Sequence, residues 1–122
     1  MPIINQMVEY NHQDDGALDL TLGALADPTR RAILKMLTAG EMRVTELAGP
    51  FDMSLNAVSK HIKKLEAAGL IRRRRAGRDH YLAAQIKPIE QAAAWFDQER
   101  AAWNARLDKL ETLIKAEEEW DD

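Results

Sequence analysis

SLNAVSKHIKKLEAAG, residues 54–69, is the stretch whose reading decides the fold. Leu55, Val58, Ile62 and Leu65 recur at steps of three or four, the spacing that stacks side chains on one face of an α-helix. Ser54 in front of them suits an N-cap, because its hydroxyl accepts from an amide that the first helical turn leaves unpaired. Gly69 behind them is a stop, because glycine adopts the left-handed conformation that ends a helix. With the apolar face turned inward, Asn56, Ser59, Lys60 and Lys63 share the opposite stripe, and His61 and Lys64 flank it. A plain solvated surface would mix its charges. This one sets Lys60, Lys63 and Lys64 against a single acid, Glu66.

Upstream, Val44, Leu47, Ala48 and Phe51 mark a short helix with Thr45 as its candidate N-cap, and Gly49-Pro50 ends it. A short helix, a tight break and a longer helix make a helix-turn-helix. Downstream, residues 70–75 and 79–83 read as two strands joined by Ala76-Gly77-Arg78, a hairpin that adds a wing. Nearer the start, Leu18, Leu22 and Leu25 set a short first helix. Asp27-Pro28 opens the next, with Asp27 as cap and Pro28 at a first position where no amide hydrogen is needed. Ile33, Leu34 and Leu37 give that helix its buried stripe, and Gly40 stops it. A last helix opens at Pro88 and extends to Glu119. The expected architecture is mainly α with a small β-hairpin wing: a winged helix-turn-helix with a long C-terminal dimerisation helix. It divides into a loose polar arm (1–16), the winged helix-turn-helix (17–84), and the last helix with an acidic tail (85–122), this last part of the same single domain.

The net charge is −3, but it is unevenly placed. Residues 1–53 carry 4 basic and 8 acidic side chains, residues 54–84 carry 8 and 2, and residues 85–122 carry 5 and 10. A basic segment between acidic flanks confines attraction for a polyanion to one part of the surface. Arg72 to Arg75 alternate between the two faces of a strand, and Arg78 stands at the hairpin tip. Charged edges also protect a sheet from pairing with another. Guanidinium groups, however, grip phosphate in a bidentate fork and suit narrow minor grooves, so Arg73, Arg75 and Arg78 are candidate phosphate contacts. Ser54, Asn56, Ser59, Lys60, His61, Lys63 and Lys64 are the candidate contacts of a helix laid in a major groove, where Asn favours adenine and Lys favours guanine. Arg30 and Arg31 sit in a first helical turn, where the helix dipole disfavours cations, so Arg30 is expected to pair with an acid.

Ile89, Phe96, Trp103 and Leu110 repeat every seven residues, with Ala93, Leu107 and Ile114 in a second seam that Arg100 interrupts. Such a stripe predicts a homodimer, which a reader of palindromic double-stranded DNA requires. The chain has no cysteine, which excludes disulfides, thiolate metal sites and cysteine nucleophiles. His12, His61 and His80 are scattered, no glycine-rich phosphate loop occurs, and no acid pair falls in an evident cleft. An enzyme is therefore not expected, nor a cofactor, nor a metal site. No apolar run is long enough for a membrane span, and the start does not read as a signal peptide, so the expected location is cytoplasmic. A winged helix used only for protein contact is the rival reading, and the basic segment argues against it. The sequence names no small-molecule effector.

One linked set of motifs carries a resemblance. Ala24-Leu25-Ala26-Asp27-Pro28-Thr29-Arg30-Arg31 is followed by Thr45-Glu46-Leu47-Ala48, Met53-Ser54, Ala57-Val58-Ser59-Lys60-His61-Ile62-Lys63-Lys64-Leu65, Ala68-Gly69-Leu70-Ile71 and Gly77-Arg78. Over residues 18–84 the chain resembles the ArsR-type (arsenical-resistance-repressor-like) winged-helix regulators. The resemblance implies a dimeric repressor of a palindromic operator, with an interface built from the first and last helices. Leu18, Leu22, Phe96, Trp103, Leu107 and Leu110 are the residues it points to. Metal-sensing members carry cysteines in the third helix or histidine and acidic ligands on the last. Here the third-helix stretch is Glu46-Leu47-Ala48-Gly49-Pro50-Phe51 and the last helix has no histidine, which places the resemblance with the non-metal-sensing branch.

Overall fold

The computed structural model describes the backbone of residues 16–121 and the side chains of residues 16–119. The expected arm therefore lies outside the described residues except for Gly16, which already belongs to a helix, α1, over residues 16–25. α2 (Pro28–Leu37), β1 (Met42–Arg43), α3 (Val44–Ala48), α4 (Leu55–Ala67), β2 (Ile71–Ala76), β3 (Asp79–Ala84) and α5 (Lys87–Asp121) follow. The described residues fall into two compact units, one ending at Ala92 and one beginning at Ala93.

In the first unit the helix starts are set by side-chain caps. Asp27 Oδ1 accepts from the Arg30 amide at 3.1 Å, with Pro28 at the first helical position. Ser54 Oγ accepts from the Ala57 amide at 3.1 Å. α4 ends where Gly69 takes φ +74, so that the Leu70 amide reaches the Leu65 carbonyl and the Gly69 amide the Glu66 carbonyl. That pair of bonds satisfies two carbonyls the last turn leaves open. The buried stripes converge: Ile33, Leu34 and Leu37 of α2, Leu47 of α3, and Val58, Ile62 and Leu65 of α4 form one core with Ala24, Leu70, Ile71 and Leu82. Each large side chain in it contributes about 1.5–3 kcal/mol.

The sheet has three antiparallel strands in the order β1-β3-β2, one more than the sequence led us to expect. Met42 pairs with Leu82 and Arg43 with Tyr81. Two residues show no alternation to detect, which is why β1 was not legible. The hairpin pairs Ile71 with Ala84 through to Ala76 with Asp79. Its Gly77-Arg78 connection has positive φ, +63, only at Gly77, the pattern of a II′ turn. α3 begins at Val44 with Arg43 at the cap position, so Thr45 is inside the helix rather than capping it.

Candidate nucleic-acid interface

The inner stripe of α4 fixes its outer one. Val58, Ile62 and Leu65 are fully buried, and Asn56, Lys60, Lys63 and Lys64 are exposed. Ser54 is exposed at the start of the helix, and Ser59 is half-buried at the margin of the outer stripe. His61 is not on the flank with the lysines. Its ring is half-buried, with Nδ1 3.2 Å from Arg30 Nη1 and 4.0 Å from Asp27 Oδ1. A guanidinium only donates, so Nδ1 is the acceptor. His61 thus joins α4 to the start of α2 instead of facing outward.

Arg30 has a different partner set from the acid expected. Its Nε donates to the Ala24 carbonyl at 2.6 Å and its Nη2 to the Gly23 carbonyl at 3.1 Å. Arg31 Nη1 donates to the Leu25 carbonyl at 2.8 Å. Both side chains reach back from α2 to the last carbonyls of α1, where the helix dipole favours cations. Asp27 beside them keeps its carboxyl below the ordinary value, chiefly through the bond from the Arg30 amide and also through the nearby charge of the Arg30 guanidinium.

The wing arginines divide by partner. Arg73 donates to both oxygens of Glu66 on α4 and to Nδ1 of His80, and Glu66 pushes its guanidinium pKa further up. Arg74 pairs with Glu41 at 2.6 Å, holds that carboxyl below its ordinary range, and stacks on Tyr81 with 4.5 Å between guanidinium and ring centre. Arg72, Arg75 and Arg78 are exposed, and among the described residues none meets an acid at ion-pair distance. Of the sequence-derived wing contacts, Arg75 and Arg78 therefore remain available to phosphate, whereas Arg73 is engaged. Arg43 was not singled out by sequence. β1 brings its Nε to the Tyr81 hydroxyl at 3.2 Å, on the same sheet as the wing.

The candidate dimer residues lie on both units. On α1, Leu18 is half-buried and Leu22 exposed. On α5, Phe96, Trp103, Leu107 and Leu110 are 52%, 59%, 57% and 54% exposed. Trp95 and Phe96 touch edge to face, with centroids 5.1 Å apart. Among the described residues no cluster of three or more histidine, aspartate or glutamate side chains is placed to hold a metal ion, and no helix is long and apolar enough to cross a membrane.

Residues 25–74 match a family model described as a helix-turn-helix domain. The chain is similar to the HTH-type transcriptional regulator Rv2034 of Mycobacterium tuberculosis, with 40% identity over 94 residues, covering 77% of this chain and 85% of the relative. It is 32% identical over 72 residues to the transcriptional repressor SdpR of Bacillus subtilis, covering 59% of this chain and 80% of the relative. Among solved structures, the crystal structure of an ArsR family transcriptional regulator superposes with a TM-score of 0.71 at 41% identity, covering 74% of this chain and 93% of the other.

Proposed function

This chain belongs to the ArsR-type family of winged helix-turn-helix transcriptional regulators, a class of DNA-binding proteins rather than enzymes, and we propose that it is a homodimeric cytoplasmic repressor of a palindromic operator without a metal-sensing site. α4 lies in the major groove, where Asn56, Ser59 and Lys60 read base edges and Lys63 and Lys64 hold phosphates. Arg75 and Arg78 of the wing bind the backbone. One observation carries this reading. Asn56, Lys60 and Lys63 are exposed along one stripe of α4, and among the described residues none engages an acid, while the stripe behind them is fully buried.

The apolar ladder of α5 supports the homodimer, because large exposed side chains at heptad spacing call for a matching helix. Similarity to a named repressor supports repression. The lack of cysteine supports a member that does not sense metals.

Selection of bound fragments from a random duplex pool, followed by salt titration of the best hit, tests the reading. The expected result is a palindrome with half-sites about 34–36 Å apart and an affinity that falls steeply with salt. Zn(II), Cd(II) and As(III) at micromolar levels are expected to leave the complex intact. Recovery of no enriched duplex, or salt-independent binding, would refute it.

A further inference from the structure

β1 and the hairpin tip are far apart in sequence, yet Arg43 and Arg78 line one open cleft of about 190 Å³, together with Thr45, Arg73, Asp79 and His80. The cleft joins the start of α3, the first helix of the helix-turn-helix, to the wing. We infer that it is a binding site for a single phosphate group, that of one phosphodiester of the duplex backbone, with Arg43, Thr45 and Arg78 as its donors. This rests on the reading of the chain as a duplex-binding regulator.

The groups present suit a phosphate oxygen. Arg78 is exposed and, among the described residues, has no acid at ion-pair distance. Arg43 meets Glu46 at 3.5 Å, with both side chains about half exposed, donates to the Tyr81 hydroxyl and lies 5.8 Å from the centre of the Tyr81 ring. Solvated pairs of that kind contribute little, so the guanidinium is available to a fixed anion. Thr45 is exposed in the first turn of α3 and adds a hydroxyl donor. His80 accepts at Nδ1 from Arg73 Nη1 at 3.1 Å, which leaves Nε2 as its donor.

The donor geometry, rather than a surplus of charge, selects the phosphate. Three guanidiniums line the cleft, while Glu66 is bound to Arg73, Asp79 lies on the wall and Glu46 stands 3.5 Å from Arg43. The acids offset the cations in number, so nothing is left to balance the two charges of a terminal phosphate, whereas a singly charged phosphodiester oxygen is met by the guanidinium donors of Arg43 and Arg78. An open cleft shared by two elements also fits a strand running past it, whereas small molecules are held in enclosed, mainly apolar cavities.

The experiment measures binding of a labelled 30-base-pair duplex against salt for the wild-type protein, Arg43→Gln, Thr45→Val and, as a control, Lys35→Gln, an exposed cation on α2 (the duplex length is chosen, at about three helical turns). A second arm follows the backbone amides of Thr45 and Asp79 by NMR during titration with inorganic phosphate alone. Arg43→Gln is expected to reduce the slope of log affinity against log salt by about one per protomer, equally on every duplex. Thr45→Val is expected to weaken binding by roughly tenfold with the slope unchanged, because it removes a neutral donor. Lys35→Gln keeps the wild-type slope. Wild-type slope and affinity in both cleft variants would overturn the inference and leave the α4 reading standing. Saturable phosphate binding that Arg43→Gln abolishes, with the duplex slope unaltered, would assign the cleft to a free phosphate compound and overturn the duplex assignment. A wild-type chain that binds no duplex at any salt concentration would overturn the regulator reading itself.

Discussion

Arg73 of β2 donates to both carboxylate oxygens of Glu66 of α4, Nη2 to Oε1 at 2.7 Å and Nε to Oε2 at 3.3 Å. Each side chain is less than a third exposed. The pair fastens the wing to α4, and the planar fork fixes direction as well as distance. Glu66→Gln keeps the shape and removes the charge. It is expected to lower stability by about 1–2 kcal/mol, seen as a lower denaturant midpoint at an unchanged slope. An unchanged midpoint would mean that solvent screens the pair completely.

Lys60 and Val58 lie on opposite faces of α4, and their alanine variants separate reading from folding. Lys60→Ala is expected to cost about 1–3 kcal/mol per half-site and to relax the preference at one base pair. Val58→Ala, at a fully buried position, should lower stability by roughly 1–3 kcal/mol while leaving the preferred sequence intact. Binding of both to a panel of single base-pair changes checks this. A flat Lys60→Ala profile would move specificity to Asn56, Ser59 or duplex shape.

Trp103 is 59% exposed on the second unit. Trp103→Ala is therefore expected to leave the winged helix-turn-helix folded while weakening self-association by about 2 kcal/mol or more, roughly 30-fold. Sedimentation across a concentration series reads the shift, and circular dichroism checks the fold. Wild-type self-association would remove Trp103 from the interface.

Acid should expose the role of Asp27. Its folded pKa lies below the ordinary 3.8, first because the Arg30 amide donates to it. A carboxyl depressed in the folded state contributes stability that is fully present above the unfolded pKa and is lost as pH falls through the folded one. Asp27→Asn keeps a capping oxygen and removes only the charge. The wild-type advantage over this variant should be constant above about pH 5, decline below it, and vanish once the folded carboxyl is protonated. Denaturant titrations of both chains down to about pH 2 test the sign, since an advantage that grew on acidification would contradict it.

The elements legible in the sequence were those whose cause is local. Asp27, Ser54 and Gly69 set helix ends through bonds to residues within a few positions, and the period of Val58, Ile62 and Leu65 aimed α4 correctly. What escaped depends on partners that another element brings into reach. β1 exists because β3 offers it two residues of pairing. His61 turns inward because Arg30 is there to donate to it, and Arg73 is engaged because the turn after α4 sets Glu66, seven residues earlier, against β2. Arg30 itself was matched to an acid by charge, whereas the groups within its reach are the carbonyls at the end of α1.

That arrangement of Arg30 makes one guanidinium a vertex shared by three helices: it holds the Gly23 and Ala24 carbonyls of α1, belongs to α2, and meets His61 of α4. A helix end ordinarily frays first, since its final carbonyls have only water to bind. Here the C-terminal turn of α1 cannot open without releasing a side chain that α4 also holds. Amide hydrogens in that turn should therefore exchange with solvent in step with those of α2 and α4, as parts of one cooperative unit, and not at the rapid rate of a loose end.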